Sequence, residues 1–214
     1  MTAVGIAHLK IKLDEVEPAV LRWVEVPLAI RLDRLHLVLQ AAIGWTNSHL
    51  YEFRARDTGW GVPDPDFGPD YGDGPLDARK ARLATILEDT GARSLKYLYD
   101  FGDGWEHTVR IERITDPVPG IIYPRLIEAT GRCSPEDVGG PRGYHEFLQA
   151  VADPDHEQHA EMLTWVGGPF DPTDVNVEDR ARAVAALAKS MGASSGSHTQ
   201  ADHLNRGARR MDTS

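Results

Sequence analysis

The chain has 214 residues, 41% hydrophobic and 26% charged, the composition of a globular domain with a real core rather than of a disordered or fibrous chain. Its formal net charge of −10 argues against a general grip on nucleic acid, which draws affinity from Lys and Arg neutralising phosphates. The single cysteine, Cys133, excludes an internal disulfide and a multi-cysteine zinc site, and no apolar run reaches membrane-spanning length.

The N-terminus "MTAVGIAHLKIKLDEVEPAV" lacks the uninterrupted apolar stretch of a signal peptide, so a cytoplasmic location is expected. Within it, "AHLKIKL" alternates strictly, with Leu9, Ile11 and Leu13 on one face and His8, Lys10 and Lys12 on the other, which predicts a half-buried strand. "AVLRWVEV" predicts a second strand, rich in branched and aromatic residues and ended by Pro27. The period then changes: Leu32, Leu35, His36, Leu39, Ala42 and Ile43 recur at helical spacing, with Asp33 as a cap and Gly44 just past the end. "HLYEFRAR" predicts a strand with His49, Tyr51 and Phe53 on one side. Gly, Pro and Asp dominate residues 59–77, which predicts a loop, and "ARKARLATILEDTG" predicts a short helix ending at Gly91. "SLKYLYDFGDGWEHTVRIERI" has strand, turn, strand character. After an irregular stretch around residues 117–124, "CSPEDVGGPRGY" predicts a rigid polar loop. "GYHEFLQAVAD", "DHEQHAEMLTWV" and "NVEDRARAVAALAK" predict three helices. The expected whole is an α+β domain over residues 1–189 with a mostly antiparallel sheet, followed by a disordered tail over 190–214.

The hairpin closes in one of two registers. Asp103-Gly104 is a two-residue turn signal. The apolar pattern favours a three-residue loop, Gly102 to Gly104, because only that puts Leu95, Tyr97, Tyr99 and Phe101 on the face of Trp105, His107, Val109 and Ile111. Asp100 is then expected opposite Glu106 on the outer face, a destabilising pair of like charges. A solvated pair or a captured arginine resolves it. So does a divalent metal, magnesium, calcium or manganese, held by Asp100, Asp103 and Glu106. His107 reads as a satisfied histidine on a packed face or as an acid or base, and His145 is the other candidate for that role.

Other motifs weigh less. Asp64, Asp66 and Asp70 miss the calcium-loop spacing, with Pro75 where the bidentate Glu should stand, so that stretch reads as an acidic surface loop. His156 and His159 stand at i, i+3 rather than i, i+4, and Asp155 with Gln158 reads as a capping box. Cys133 has no obvious base and reads as a small packed residue. No Ser-His-Asp signature, phosphate-binding loop or dinucleotide fingerprint is present.

"IGWTNSHLYEF", "YLYDFGDGWEH" and "CSPEDVGGPRGYHEFLQAV", with a later "FDP", resemble the plasmid pRi ORF-three-like family, whose relatives include insertion-element passenger proteins of the TnpR type. The resemblance covers roughly residues 5–189. It implies an α+β domain and a soluble bacterial or archaeal protein often linked to mobile elements, and no particular activity. Resolvase chemistry does not follow from the residues. No serine precedes Ser48, no Tyr follows His203 and Arg206, and His107 and Arg110 point to opposite faces of a strand.

The functional expectation is a non-enzymatic binding or accessory module with a protein or small-molecule partner. Its surface would be the rim of Asp100, Asp103, Trp105, Glu106, Glu136, Asp137 and Tyr144. The alternatives are a metal-dependent hydrolase or nuclease using Asp100, Asp103, Glu106, Glu136 and Asp137, and DNA association through Arg206, Arg209 and Arg210 of the tail.

Overall fold

Alternation of branched and charged residues builds the first strand pair, β1 (Ile6–Leu13) and β2 (Leu21–Pro27), antiparallel with Leu9 opposite Val24 and Ile11 opposite Arg22. The computed structural model describes residues 4–63 and 74–191. Helix α1 (Leu32–Ile43) follows, then β3 (Tyr51–Ala55), β4 (Thr58–Gly61), β5 (Leu76–Asp77) and α2 (Leu83–Thr90). The chain continues through β6 (Ser94–Tyr99), β7 (Trp105–Thr115), β8 (Arg125–Thr130), α3 (Gly140–Ala152), α4 (His159–Val166) and a fifth helix, α5, over 177–191. The strands form one sheet in the order β5-β4-β3-β6-β7-β1-β2-β8, antiparallel throughout except where β5 joins β4. This is a single α+β domain with a mostly antiparallel sheet. Among the described residues no helix is long and apolar enough to cross a membrane.

One sheet face carries the core. Leu9, Ile11 and Leu13, Val24 and Val26, Leu95, Tyr97 and Tyr99, and Trp105, His107 and Val109 are all buried on it. Helix α1 lays Leu32, Leu35, Val38, Leu39 and Ile43 into the same cluster. Lys10 and Trp23 stack on the opposite face. Removing so many large apolar side chains from water, at about 2 kcal/mol each, holds the helices to the sheet.

Several expected boundaries move. The α1 cap position is Arg31, with no side-chain cap. Asp33 lies in the first turn, where Arg31 grips it with bonds of 2.9 and 2.8 Å. Gly44 does end the helix, in the left-handed region. The strand expected to include His49 begins at Tyr51, so His49 belongs to the preceding loop. Residues 59–77 contain β4 and β5 rather than loop alone, and Asp64, Asp66 and Asp70 lie outside the described residues. Helix α4 starts at His159. The Asp155–Gln158 capping box does not form, and Asp155 N–H instead bonds Asp153 Oδ1. Strand β8 is an addition: "RLIEAT" is a half-exposed edge strand with no clean alternation to reveal it. The tail, with Arg206, Arg209 and Arg210, also lies outside the described residues, and α5 runs through residue 191.

The hairpin takes neither expected register. Tyr99 faces Trp105, Leu98 faces Glu106 and Tyr97 faces His107, so the loop has five residues, Asp100 to Gly104. Asp100 starts it at a φ of 57°. Its Oδ1 accepts N–H bonds from Gly102 (3.0 Å) and Asp103 (3.3 Å), and its carbonyl accepts from Gly104 (2.7 Å). An Asp side chain that satisfies its own turn makes this loop stable. The slip from expectation is two residues, so the face assignment of Leu95, Tyr97 and Tyr99 holds while Phe101 leaves the core, 54% exposed. The Asp100–Glu106 opposition does not exist. Glu106 stands opposite Leu98 and 3.7 Å from Lys96, which bonds Asp14 at 2.8 Å.

Candidate functional site

Three loops meet at one end of the sheet: residues 45–50 after α1, the hairpin loop 100–104, and residues 133–139 before α3. Each is pinned by aromatic and polar anchors. Trp45 stacks on Tyr99 with centroids 4.9 Å apart, sets its edge over His107 and donates Nε1–H to Ser134 O at 3.1 Å. Tyr99 donates its hydroxyl to Glu136 Oε1 (2.6 Å) and accepts from the N–H groups of Ser48 (3.0 Å) and His49 (3.3 Å). Burial and the Glu136 bond raise the Tyr99 pKa, so the hydroxyl keeps its proton. Glu136 also accepts from Thr46 N–H (3.0 Å) and the Thr46 hydroxyl. Gly139 N–H donates to Asp103 Oδ2 (3.1 Å), and Gly140, at a φ of 71°, lies so close that any Cβ would overlap the Asp103 carbonyl.

A buried polar floor sets the first loop. His36 packs flat on Tyr51, 3.7 Å between centroids, and burial lowers its pKa to about 4. Its Nε2 bonds Asn47 Oδ1, an acceptor, so Nε2 carries the proton and Nδ1 accepts from Tyr97 OH (2.8 Å). Gln40 completes the ring, donating to Tyr97 OH (2.9 Å) and accepting from Asn47 N–H (3.0 Å). Asn47, Asp100 and Asp137 all hold left-handed backbone, at φ values of 61°, 57° and 60°. Such strain is tolerated only where surrounding bonds impose it, and it concentrates at functional sites.

His49, Asp100 and Asp137, one residue from each loop, bring one ligand atom apiece within 4.8 Å of one another. His49 Nε2 lies 3.2 Å from Asp137 Oδ1 and 3.6 Å from Asp100 Oδ2. Yet Nε2 is sealed from solvent and has no hydrogen-bond partner among the described residues. The Asp137 oxygen, near enough to accept a hydrogen bond, therefore lies off the axis of the ring nitrogen, and the Asp100 oxygen stands just beyond hydrogen-bond distance. Two ligands of one ion, each about 2.1 Å from it and at right angles, stand roughly 3 Å apart and about 45° off each other's donor axes. The observed spacing fits that arrangement. An imidazole nitrogen with two carboxylate oxygens suits zinc, manganese or iron(II) better than magnesium or calcium. Asp137, 71% exposed, leaves one side of the cluster open to solvent.

Among the residues singled out from sequence, Asp100 and Asp137 belong to the cluster, and Asp103 and Glu136 tie the loops together beside it. Glu106 stands away on the outer sheet face. Trp105 and Tyr144 are each 1% exposed and form core, not rim: Trp105 packs against Trp45, and Tyr144 against Phe147 and Phe170. His107 is buried, its pKa lowered by burial to about 4 and its Nδ1 donating to Tyr97 O (3.1 Å), so no substrate reaches it, but its Nε2 has no partner among the described residues and the ring is only half satisfied. Arg110, on the outer face of the same strand, is exposed. His145 is exposed on α3, bonded to Gln149. Cys133 is buried and its thiol is pushed up to about 12, which makes it a poor nucleophile. His49 is the member that sequence reasoning misplaced, and its signal was its position in "WTNSH" between a helix stop and an aromatic strand.

The three stretches that carried the family resemblance are the three that converge here. A family model described as "Plasmid pRiA4b ORF-3-like protein" matches residues 5–179. The chain belongs to this family. A relative within reach of it is "Uncharacterized protein y4hQ" of Sinorhizobium fredii (strain NBRC 101917 / NGR234), 58% identical over 185 residues, which cover 86% of this chain and 93% of that protein. Among solved structures the chain is similar to the crystal structure of a protein of unknown function, MM3350, from Methanosarcina mazei Go1. The TM-score is 0.73 at 30% identity, covering 83% of this chain and 98% of the other.

One expected result tests the anchoring. Tyr99→Phe keeps the Trp45 stack but leaves Glu136, Ser48 N–H and His49 N–H without their shared partner. A loss of about 2 kcal/mol in urea denaturation is expected, with faster amide exchange confined to the three loops. A change below about 0.5 kcal/mol would mean that the loops do not depend on this hydroxyl.

Proposed function

We propose that this plasmid ORF-3-like protein is a metal-dependent binding module. A divalent transition ion bridges His49, Asp100 and Asp137 and locks the three loops into one recognition surface. The observation that carries the reading is the sealed, unpartnered His49 Nε2 between two carboxylates. Beside the cluster, Leu50 and Phe101 are more than half exposed, and Leu50 O accepts the Asp100 N–H (2.9 Å). The ion would therefore fix two apolar side chains for a partner. The mobile-element association implied by the family resemblance fits such an accessory module.

The open side of the cluster at Asp137 favours a second reading, a hydrolase in which the ion activates a water. Calorimetric titration of metal-free protein with zinc and with manganese separates both from a plain ion triad. One ion per chain is expected, with at least a tenfold loss of affinity in His49→Ala. Absence of binding at 1 mM metal, or binding unchanged in His49→Ala, would remove the proposal. Metal-stimulated cleavage of p-nitrophenyl phosphate or acetate, abolished by Asp137→Asn, would select the hydrolase.

A further inference from the structure

A cavity of about 310 Å³ adjoins the segments that lead into the cluster of His49, Asp100 and Asp137. Gly44, just before the first loop, and Cys133 to Pro135, at the start of the third, both line it. Its walls carry three guanidinium groups, Arg22, Arg132 and Arg180, in a chain whose net charge is −10.

Arg22 enters from the core face of β2, opposite Ile11, and is 2% exposed. Its Nε donates to Ala42 O (2.7 Å) and its Nη1 to the carbonyls of Leu21 (2.7 Å), Thr130 (2.9 Å) and Gly131 (3.0 Å). These bonds fix the plane of the group and satisfy one side of it, but Nη2 takes none of them. Carbonyls satisfy N–H groups without cancelling the charge. Arg180 reaches over from α5, and the space it occupies exists because residue 44 is glycine: a Cβ there would overlap its guanidinium. Arg132 lies 4.1 Å above the Phe170 ring.

Among the described residues, none of the three forms an ion pair. Asp174 lines the cavity, Asp171 lies near Arg132 and Asp179 lies near Arg180, yet none of these carboxylates reaches ion-pair distance of the three arginines. Cys133 supplies no counter-charge, since its thiol stays protonated. Burial opposes the Arg22 charge most, and Arg180 adds a smaller repulsion. A buried Arg22 joined by two half-buried guanidiniums, none of them in an ion pair, leaves the cavity electropositive, and forked guanidiniums match oxyanions in geometry as well as charge.

We propose that this cavity is a binding site for a phosphate-class oxyanion, either free phosphate or the phosphate end of a small ester. Arg22 is its prealigned base and Arg180 and Arg132 its movable arms. The volume admits a phosphate with a small substituent. Bidentate bonds from Arg22 Nη2 and Arg180 would replace the repulsion by charge-assisted pairs.

The test is calorimetric titration of the full chain with inorganic phosphate and, separately, with glycerol 3-phosphate, at fixed ionic strength in chloride and with EDTA present. EDTA keeps the outcome independent of the metal cluster, and His49→Ala should bind phosphate as the native chain does. One saturable site is expected, weakened at least tenfold in Arg180→Gln and in Arg132→Gln, both of which leave the buried Arg22 in place. Tighter binding of the ester identifies the ligand as an ester, and equal binding as the free ion. No saturable binding at 10 mM of either ligand, or equal binding in both variants, would overturn the assignment.

Discussion

Lowering the pH from 7 to 5 is expected to destabilise the fold by roughly 3–4 kcal/mol, about 2 from each of two buried histidines. Burial lowers the pKa of His36 and of His107 from 6.5 to about 4. In the unfolded chain both rings take up a proton as pH falls through 6.5, while the folded chain keeps them neutral until about 4. The unfolded state therefore binds more protons throughout that window. Stability falls as pH falls from 6.5 to 4, and these two groups add no further loss below it. His36 cannot gain the proton cheaply, because Nδ1 accepts from Tyr97 OH and Nε2 already donates to Asn47. His107 sits among Trp45, Trp105 and Tyr97 with Nδ1 already donating. Urea midpoints at pH 7, 6 and 5 measure the slope, and His107→Phe should roughly halve it. A midpoint that does not move over this range contradicts the assignment of both rings as neutral. The functional consequence is direct, since the His36 network shapes the loop that carries His49.

Arg22→Leu is expected to cost about 3–5 kcal/mol, a large share of the stability of a domain this size. The leucine has a suitable apolar surface for the sheet face, so the loss comes from the backbone. Four carbonyls, of Leu21, Ala42, Thr130 and Gly131, lose a charged donor in places water reaches poorly. These carbonyls tie the C-terminal end of α1 to the edge strand β8 and to the start of the 133–139 loop. The variant should therefore also loosen the cluster of His49, Asp100 and Asp137, and if the proposed ion binds there its zinc affinity should fall in the fraction that remains folded. Arg22→Lys keeps the charge but not the fork and should recover only part of the loss. A change below about 1 kcal/mol in Arg22→Leu would show that the carbonyls find other donors.

Parity was legible in the sequence, and spatial junctions were not. The alternation of Leu9, Ile11 and Leu13 and of Leu95, Tyr97 and Tyr99 placed the core face, and that placement survived a two-residue error in hairpin register, because only an odd slip turns side chains over. The error came from Asp100: an Asx turn in left-handed backbone is a choice between near-equal local conformations, and Asp-Gly pairs advertise the shorter loops more strongly. Trp105 was misread as rim because aromatics beside a glycine turn look exposed until a partner such as Trp45 arrives from elsewhere in the chain. Arg22 was readable in principle, since Val20, Arg22, Val24 and Val26 share a face, and an arginine in that series announces a buried cation. The cluster of His49, Asp100 and Asp137 was only partly readable, since Asp100 and Asp137 stood out as candidate carboxylates and His49 did not. His49, Asp100 and Asp137 come from three loops joined only by tertiary bonds through Tyr99 and Glu136. The family resemblance marked the three stretches but carried no information that they touch.

Anomalous X-ray scattering from crystals grown with zinc or manganese would show whether an ion sits between His49, Asp100 and Asp137. The predicted result is one strong peak about 2.0–2.2 Å from His49 Nε2 and from one oxygen each of Asp100 and Asp137, absent in His49→Ala crystals. Metal density found only elsewhere on the surface, or a cluster in which His49 bonds Asp137 with no ion between them at millimolar zinc, would contradict it.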